Sequence, residues 1–272
     1  MPEIAEVETV RRTLIKRILN KKIIDINIIY PKMIDNDINY FKENLINDEF
    51  ININRKGKWL IFETNKFYML SHLRMEGKYF IKDKNEDINK HEHVIFIFKD
   101  NTTLRYHDVR KFGKMKLIKK DEINTCEELS KLGIEPLDKN LTKEYLYNKI
   151  NNKQIPIKTV LLDQSIISGL GNIYVDEVLF LAGINPVRLG SSITLDECQK
   201  IIDAANTIIP KAIIEGGTTI KSYTSSLGVT GNYQNYLLVH KMENIPCKNC
   251  GTIIKRIKIN GRSTYYCEVC QR

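Results

Sequence analysis

The spacing of hydrophobic residues divides the chain into a strand-rich first half and a helical second half. Residues 4–18 place an apolar residue every three or four positions, with acids near the start and basic residues near the end. This pattern predicts an amphipathic helix whose charges agree with its dipole. Short runs typical of β-strands follow, at residues 23–30, 50–54, 59–63, 67–73, 94–98 and 103–106. Several strands at such intervals predict a sandwich or a barrel, while the charged stretch 82–90 predicts a mobile loop.

Helical spacing takes over after about residue 135. Helices are predicted at residues 145–151, 159–164, 172–181 and 194–214, the last interrupted by Pro210. These segments predict a separate helical domain. Gly169 and Gly171 lead into the third helix, so its backbone amides either approach an anion closely or form a tight turn with Asn172 as the N-cap. The glycine pair at 216–217 begins a stretch that is either a lid or a surface loop.

Composition narrows the possible classes of protein. The chain has 272 residues, of which 42% are hydrophobic, and no apolar run approaches the roughly eighteen residues of a membrane-spanning helix. We therefore expect one or two globular domains and no membrane partner. The net charge of +9 favours a polyanion such as nucleic acid, although AT-biased coding also gives a lysine-rich chain. The first residues are acidic and lack the pattern of a secretory signal, so we expect a cytoplasmic protein.

The cysteines near the end of the chain have the spacing of a zinc site. Cys247 and Cys250 are separated by two residues, sixteen residues follow, and Cys267 and Cys270 repeat the pair. Four thiolates in this pattern predict one structural Zn²⁺ with no open position for a substrate. The last 28 residues also carry six Lys/Arg and one acid. Arg262 is predicted at a hairpin tip, where it can contact phosphate.

The first residues predict a reactive amino terminus. Removal of Met1 would leave Pro2 with a free secondary amine. Because an α-amine titrates at about pH 8, part of this amine is an uncharged nucleophile at neutral pH. Glu3 and Glu6 would lie beside this amine if a helix starts here. The same residues also make an ordinary helix start, because proline suits the first turn and acids suit the positive end of the dipole.

Two predicted loops and one basic run carry residues suited to DNA. Met75 precedes a turn glycine at the end of a strand, and Arg110 and Phe112 precede another glycine. Proteins insert such side chains into a base stack to replace an extruded nucleotide, whereas core packing is the alternative for Met75 and Phe112. The basic run is residues 55–59. Its Lys58 is a phosphate contact, a proton-transfer group or a surface lysine.

These segments occur in an order that resembles the bacterial formamidopyrimidine-DNA glycosylase family. The motifs of that family are a Pro-Glu start, a Gly-Lys strand entry, a His-Leu-x-Met-x-Gly segment, an Arg-x-Phe-Gly loop, a Gly-x-Gly-Asn-Ile-Tyr turn and a four-cysteine finger. All six occur in order along the whole chain, at residues 2–3, 57–58, 72–77, 110–113, 169–174 and 247–270. Each motif is weak singly, but their joint occurrence in this order is very specific.

The resemblance implies an α+β fold with three parts. They are an N-terminal β-sandwich that begins with a helix (residues 1–135), a helix-two-turn-helix domain (136–235) and a zinc finger (236–272). It implies a monomer that grips double-stranded DNA, containing oxidised bases or abasic sites, in the cleft between the sandwich and the helical domain. It also implies a bifunctional enzyme of base excision repair, working at the bacterial nucleoid, that removes oxidised purines through an N-terminal imine and cleaves the strand by β,δ-elimination.

The resemblance further implies a role for individual residues. Pro2 looks like the nucleophile that attacks the sugar C1′, Glu3 looks like the proton donor, and Glu6 would support the same site. Lys58 matches the lysine assigned to proton transfer in β-elimination, and Arg262 matches the arginine assigned to the δ step. The wedge that fills the base stack is matched by Met75, Arg110 and Phe112. Other DNA-contacting positions are matched by His72, His91, Lys153 and Asn172. The start of the loop over the damaged base is matched by residues 216–219.

Three positions depart from the family pattern. Ala5 and Val109 replace common prolines, and Lys111 stands where an arginine is common; we expect these changes to tune the activity without removing it. A sister glycosylase for oxidised pyrimidines shares the start, the helical domain and the finger, but residues 6–9 and the complete wedge favour the purine branch. A non-catalytic damaged-DNA-binding protein is the other alternative, and the intact set of catalytic residues argues against it.

Overall fold

A single amphipathic helix begins the fold. A computed structural model describes residues 1–218 and 231–272, and it places helix α1 at Ile4–Ile18, as the spacing predicts. The buried face of α1, which includes Val7 and Leu14, packs into the same hydrophobic core as the strands that follow. Burial of an aliphatic side chain of this size contributes about 1.5–3 kcal/mol, so this face fixes the helix against the strands.

The chain divides into two compact units. The first consists of residues 1–130 and 216–232, and the second consists of residues 131–215 and 233–272. Among the described residues, 216–218 therefore return to the unit that contains the amino terminus.

The first unit is a β-sandwich, as predicted. Its described residues form the strands β1 (Ile23–Ile28), β2 (Asn52–Lys56), β3 (Trp59–Glu63), β4 (Phe67–His72), β5 (Lys78–Asp83), β6 (Glu92–Phe98), β7 (Thr102–His107) and β8 (Lys114–Lys119). They make two antiparallel four-stranded sheets, with strand orders β1-β6-β7-β5 and β2-β3-β4-β8. The Phe50 ring lies 5.1 Å from the Phe62 ring of one sheet and 5.7 Å from the Phe96 ring of the other, so aromatic side chains join the two sheets.

The spacing does not predict β5, β8 or the two shorter helices of this unit, α2 (Ile38–Leu45) and α3 (Glu127–Ser130). Lysines occupy alternate positions at the start of β8, while Met115 and Leu117 between them are buried. Because lysine has a weak strand preference, the composition of β8 hides an alternation that the sheet uses. The start of α2 has a capping signal in Asp37, whose carboxylate accepts a hydrogen bond from the Tyr40 N–H.

A buried arginine holds the charged segment between β5 and β6, for which the composition predicts a mobile loop. Arg105 in β7 is 1% exposed, and its guanidinium donates to three backbone oxygens of residues 83–87. It also pairs with the buried carboxylate of Glu92 at 3.0 Å. Removing one partner of such a buried pair costs about 3–5 kcal/mol, so this arrangement orders the segment that leads to His91.

The second unit contains the predicted helices and the predicted finger. Its helices are α4 (Lys143–Ile150), α5 (Ile157–Leu161), α6 (Asn172–Leu181) and α7 (Leu195–Ile214), and its hairpin consists of β9 (Lys255–Ile259) and β10 (Arg262–Tyr266). Short 3-10 turns lie at Gly190–Ser192 and Tyr233–Tyr236 in this unit, and at Pro31–Met33 and Lys120–Glu122 in the first unit. The predicted interruption of the last helix at Pro210 is wrong, because α7 is continuous over 20 residues. Pro210 lies near the end of α7, where its missing N–H removes only one intrahelical hydrogen bond. Among the described residues, no helix is both long enough and apolar enough to cross a lipid bilayer.

Candidate active site and nucleic-acid interface

Residues 2 and 3, directly after the exposed Met1, lie in a buried corner at the start of α1. Pro2 is buried, and Glu3 and Glu6 are each 3% exposed. The Glu3 backbone N–H donates to Glu6 Oε2 at 2.8 Å, as in a capping box. Because this capping carboxylate belongs to the first turn, the formation of the helix itself brings both acids beside residue 2.

Burial and nearby charges set the protonation of this corner. Burial lowers the pKa of the Met1 amine below its ordinary value of 8.0, the carboxylates of Glu3 and Glu6 oppose this shift, and the Lys58 ammonium adds to it. Glu76, in the turn after β4, also favours the charged amine. An amine with a lowered pKa is uncharged, and therefore nucleophilic, in a larger fraction of molecules at neutral pH.

Lys58 is held beside this corner by the turn between β2 and β3. It is 5% exposed and follows Gly57, which has a φ of +57°. Arg55 in β2 donates to the Gly57 carbonyl oxygen at 2.9 Å and to Glu8 Oε2 at 3.2 Å. Glu8 belongs to α1, so one arginine joins the helix that starts at the amino terminus to the turn that carries Lys58.

Glu6 also binds the stretch that returns to this unit after α7. Glu6 Oε1 accepts hydrogen bonds from the Thr218 N–H at 2.7 Å and from the Thr218 hydroxyl at 3.1 Å. Gly217 has a φ of +77°, and a Cβ on it would lie 2.7 Å from Glu6 Oε1. The close approach therefore requires a glycine. The predicted loop over the damaged base begins here, and its continuation at residues 219–230 lies outside the described residues, as does most of the predicted lid or surface loop.

Of the three predicted wedge residues, two are exposed together. Arg110 and Phe112 lie in the turn before β8, where the guanidinium carbon of Arg110 is 4.7 Å from the centre of the Phe112 ring. Phe112 is 50% exposed, which contradicts the core-packing alternative for this residue. Met75 is half-buried in the turn after β4, so its burial fits either alternative.

The two loops that carry these residues close over one tyrosine. A Cβ on Gly77 would lie 2.1 Å from the Tyr106 hydroxyl oxygen, and a Cβ on Gly113 would lie 1.8 Å from it. Both glycines therefore allow their loops to pack on the same buried side chain, which relates Met75 to the Arg110 loop.

The two predicted DNA-contacting histidines belong to the same unit. The His72 ring is 4.8 Å from the Trp59 ring, and its Nδ1 accepts the Arg74 N–H at 2.9 Å. Burial, with added effect from neighbouring cations, lowers the pKa of His72 to about 3. The neutral ring therefore carries its proton on Nε2 and donates a hydrogen bond only from that side. His91 is half-buried at the end of the segment that Arg105 orders.

In the second unit, Asn172 and a buried ion pair bind the zinc-finger hairpin at one carbonyl group. Asn172 Nδ2 and Lys158 Nζ each donate to the Ser263 carbonyl oxygen at 2.9 Å. Lys158 is fully buried and pairs with Asp176 at 2.7 Å, and the other carboxylate oxygen of Asp176 lies 2.7 Å from His240 Nδ1. The hairpin is thus fixed to α5 and α6 by charged groups.

The residue that caps α6 differs from the predicted one. Gly171 is the N-cap, and Asn172 is the first residue of the helix, so the N-cap prediction for Asn172 is wrong. Its amide is engaged by the hairpin instead. Lys153 is exposed in the segment between α4 and α5, where it is available to a polyanion.

The four cysteines of the finger converge as their spacing predicts. Their sulfur atoms all lie within 4.8 Å of one another, with Sγ distances of 3.8 Å for Cys247–Cys270 and 3.4 Å for Cys250–Cys267. Zn–S bonds of about 2.3 Å in a tetrahedron place sulfur atoms about 3.8 Å apart, so the group has the size of a Zn²⁺ site. Four thiolates complete the coordination, which makes the zinc structural.

Arg262 lies at the exposed tip of the β9–β10 hairpin, as predicted. The turn residues Asn260 and Gly261 have φ values of +45° and +76°, which suit the two-residue turn of a tight hairpin. Asn260 Nδ2 also donates to Thr159 Oγ1 at 3.0 Å, so the tip is tied to α5.

A β-sandwich in which Pro2 is buried beside two carboxylates, followed by a helical unit that carries a four-cysteine finger, defines a two-unit zinc-finger protein. Family models match almost all of the chain: the formamidopyrimidine-DNA glycosylase N-terminal domain at residues 1–115, its H2TH domain at 132–224, and a zinc finger found in FPG and IleRS at 244–272. The chain belongs to the formamidopyrimidine-DNA glycosylase family.

Similar proteins cover the whole chain. The formamidopyrimidine-DNA glycosylase of Bacillus anthracis is 45% identical over 100% of this chain and 99% of that protein, and the one of Exiguobacterium sibiricum is 44% identical with the same coverage. A solved complex between the Lactococcus lactis Fpg and DNA containing an abasic site has a TM-score of 0.94 at 40% identity over 99% of each chain. A complex of that protein with N7-benzyl-Fapy-dG DNA has a TM-score of 0.94 at 40% identity over 100% of each chain.

Several residues that shape the site could not be identified from the sequence. Glu8 and Arg55 interact across 47 positions, and Glu6 and Thr218 interact across 212. Lys158 reads as an ordinary basic residue in a short helix, yet it is fully buried. Only the fold brings these partners together.

Proposed function

We propose that the chain is a bifunctional DNA glycosylase and AP lyase that excises oxidised purines, such as 8-oxoguanine and formamidopyrimidines, in base excision repair. The observation that carries the proposal is the buried corner at the start of α1, where Pro2 lies beside the buried side chains of Glu3 and Glu6 and near Lys58. Family membership supports it, as does the solved complex of the Lactococcus lactis relative with DNA containing N7-benzyl-Fapy-dG.

Base release begins with the amine of Pro2 after removal of Met1. Its lone pair attacks C1′ of the extruded nucleotide, the bond from C1′ to the base breaks, and the proton lost by the amine balances the departing base. The nitrogen lone pair then forms a C1′=N iminium as the C1′–O4′ bond opens, and Glu3 supplies the proton to O4′. Glu6 holds the Glu3 backbone during these steps.

Strand scission follows from the iminium, which is a fixed cation and therefore an electron sink. Loss of a C2′ proton expels the 3′ phosphate, and Lys58 transfers that proton. In a second elimination, loss of the C4′ proton then expels the 5′ phosphate, which Arg262 contacts, and water hydrolyses the C=N bond to release the amine of Pro2. The zinc ion only holds the hairpin that carries Arg262, and no step passes through it.

DNA extrusion and binding fall to the remaining residues. Met75, Arg110 and Phe112 fill the vacated stack, which offsets part of the few kcal/mol that extrusion costs. The other contacts that we assign to DNA are His72, His91, Lys153 and Asn172. Contacts of Lys/Arg with phosphate predict an affinity that falls steeply with salt. We place this work at the nucleoid in the bacterial cytoplasm, and we divide the chain into a catalytic sandwich (1–135), a helix-two-turn-helix domain (136–235) and a finger (236–272).

Borohydride trapping tests the proposal. The mature protein is incubated with an 8-oxoguanine duplex and sodium borohydride, and the adduct is mapped by peptide mass spectrometry. We expect reduction of the iminium to a stable amine on the peptide that begins with Pro2. Binding to the same duplex without an adduct would contradict the enzymatic proposal and favour a damaged-DNA-binding protein.

Oxidised pyrimidines are the second candidate substrate, because a structure of the Lactococcus lactis relative contains oxidised-pyrimidine DNA at 40% identity and a TM-score of 0.93. Single-turnover excision from duplexes with 8-oxoguanine or an oxidised thymine compares the two. Faster release of the thymine lesion would move the assignment to the pyrimidine branch.

A further inference from the structure

One buried carboxylate organises the loop that carries Arg110 and Phe112. Asp108 is fully buried directly after β7, and its Oδ1 accepts the Arg110 N–H at 2.9 Å. Its Oδ2 accepts the N–H groups of Phe112 at 2.9 Å and Gly113 at 2.8 Å. Hydrogen bonds from N–H groups to an ionised carboxylate are about twice as strong as neutral ones, so this side chain fixes the backbone at three of the four positions from 110 to 113.

This cap also stabilises an unfavourable backbone conformation. Lys111, between the capped residues, has a φ of +55°, a region that residues other than glycine, asparagine and aspartate seldom adopt. The Lys111 N–H donates to the Asp108 carbonyl oxygen at 3.3 Å, which completes the turn. The conformation turns the backbone so that Arg110 and Phe112 are both exposed and stack on each other.

The same residue connects this loop to the two histidines before it in the chain. The Asp108 N–H donates to the His91 carbonyl oxygen at 2.9 Å, and the Asp108 carbonyl oxygen lies 2.9 Å from His93 Nε2. Asp108 therefore binds, through its backbone and its side chain, the segments that carry His91, Arg110 and Phe112.

We propose that Asp108 is a positioning residue for DNA extrusion: it holds the Arg110–Phe112 loop in its inserting conformation before DNA arrives. This inference rests on the proposed function of that loop as the wedge. A loop ordered in advance inserts without first losing conformational freedom, so its order contributes to the rate of insertion.

The test compares Asp108→Asn with a matched variant, Asp100→Asn. Asp100 lies in the turn between β6 and β7, where its carboxylate accepts the N–H and hydroxyl of Thr102 beside Asn101, which has a φ of +65°. Both variants remove one negative charge and one turn cap from the same unit, but we assign no DNA-contacting residue to the Asp100 turn.

The probe is a duplex with a tetrahydrofuran abasic analogue and 2-aminopurine on its 3′ side. Stopped-flow fluorescence then reports unstacking as the loop inserts. We expect Asp108→Asn to slow the fluorescence change about tenfold, the effect of losing one or two charge-assisted hydrogen bonds, while Asp100→Asn matches the unmodified protein. Equal rates for the two variants, both folded by circular dichroism, overturn the proposal.

Amide hydrogen exchange of the unmodified protein tests the cap even if Asp108→Asn does not fold. The amides of Arg110, Phe112 and Gly113 should exchange at least tenfold more slowly than that of exposed Val109, which Asp108 does not bind. Exchange of all four at the same rate overturns the proposal. Borohydride trapping is run in parallel, because a failure of the unmodified protein there contradicts the proposed function while leaving the exchange result as a test of the cap.

Discussion

Substitution of two neighbouring glycines separates the role of Glu6 from the cost of a strained backbone. Gly216 and Gly217 have φ values of +74° and +77°, so alanine at either position costs a similar amount, about 1 kcal/mol, for the left-handed conformation. They differ in what the added Cβ meets. At Gly216 its nearest neighbour is the Gly231 Cα at 3.5 Å, whereas at Gly217 it would lie 2.7 Å from Glu6 Oε1 and 2.9 Å from Glu6 Cγ.

The Glu6 carboxylate has little room to move away from this Cβ. One oxygen accepts two hydrogen bonds from Thr218 and the other accepts the Glu3 N–H. Gly217→Ala must break at least one of these bonds, at a cost of about 2 kcal/mol beyond the backbone strain. We therefore expect a total loss of about 3 kcal/mol for Gly217→Ala against about 1 kcal/mol for Gly216→Ala.

Urea unfolding followed by tryptophan fluorescence measures this difference, since the only tryptophan of the chain, Trp59, lies in β3 of the same unit. Single-turnover trapping on an abasic duplex measures the chemistry. Because Glu6 holds the Glu3 backbone beside the amine, we expect Gly217→Ala to trap between about tenfold and a hundredfold more slowly than Gly216→Ala. Equal stability and equal trapping rates for the two variants would refute the reasoning.

Three other perturbations address the amine, the charges on α1 and the metal. A retained Met1 or an N-terminal tag leaves Pro2 without a free amine, so DNA binding measured by anisotropy should persist while borohydride trapping is lost; a trapped adduct would contradict this. Although burial opposes the shift, hydrogen bonds from two arginines of α1 lower the pKa of Glu8 from 4.5 to about 2. The stability from this depressed pKa is present above about pH 4.5 and is lost as the pH falls towards 2. Glu8→Gln should therefore be about 2 kcal/mol less stable than the unmodified protein at pH 7. In urea titrations this difference should shrink below pH 4.5. Removal of zinc by a chelator, which can reach exposed Cys250, should abolish the product of the second elimination in gel assays, because the zinc holds the hairpin that carries Arg262. Unfolding at Trp59, in the other unit, should be unchanged.

Local pattern predicts those parts of the fold whose hydrophobic period is strong. Helices α1 and α6 agree with their predicted bounds, because apolar residues and end signals coincide there. Strand β8 is missed because lysines supply its outward positions, and the sheet accepts them since only one face is buried. Proline is unfavourable inside a helix, yet α7 continues through Pro210 because buried residues on both sides of it pack the helix in place.

The site follows the same division between local and distant signals. The cysteine spacing and the acids of the first turn are local, so the zinc group and the carboxylates beside residue 2 could be predicted. Asp108 also has a local signal, since an aspartate before a loop often accepts backbone N–H groups within it. The distant partners, Thr218 for Glu6 and Arg55 for Glu8, have no local signal, because these contacts depend on how the chain packs around α1.

The charges around the amino terminus act in opposite directions on the two states of the proposed reaction. Burial and Lys58 favour the uncharged form of the Met1 amine, while Glu3 and Glu6 favour its charged form. The same side chains lie beside Pro2, whose amine attacks in the proposed reaction once Met1 is removed. The iminium that follows is a cation at every pH, so the same two carboxylates stabilise it. A corner without the acids would hold a more reactive amine but a less stable intermediate. Glu6, which binds both the Glu3 backbone and Thr218, therefore joins this electrostatic balance to the stretch of chain that begins at Gly216.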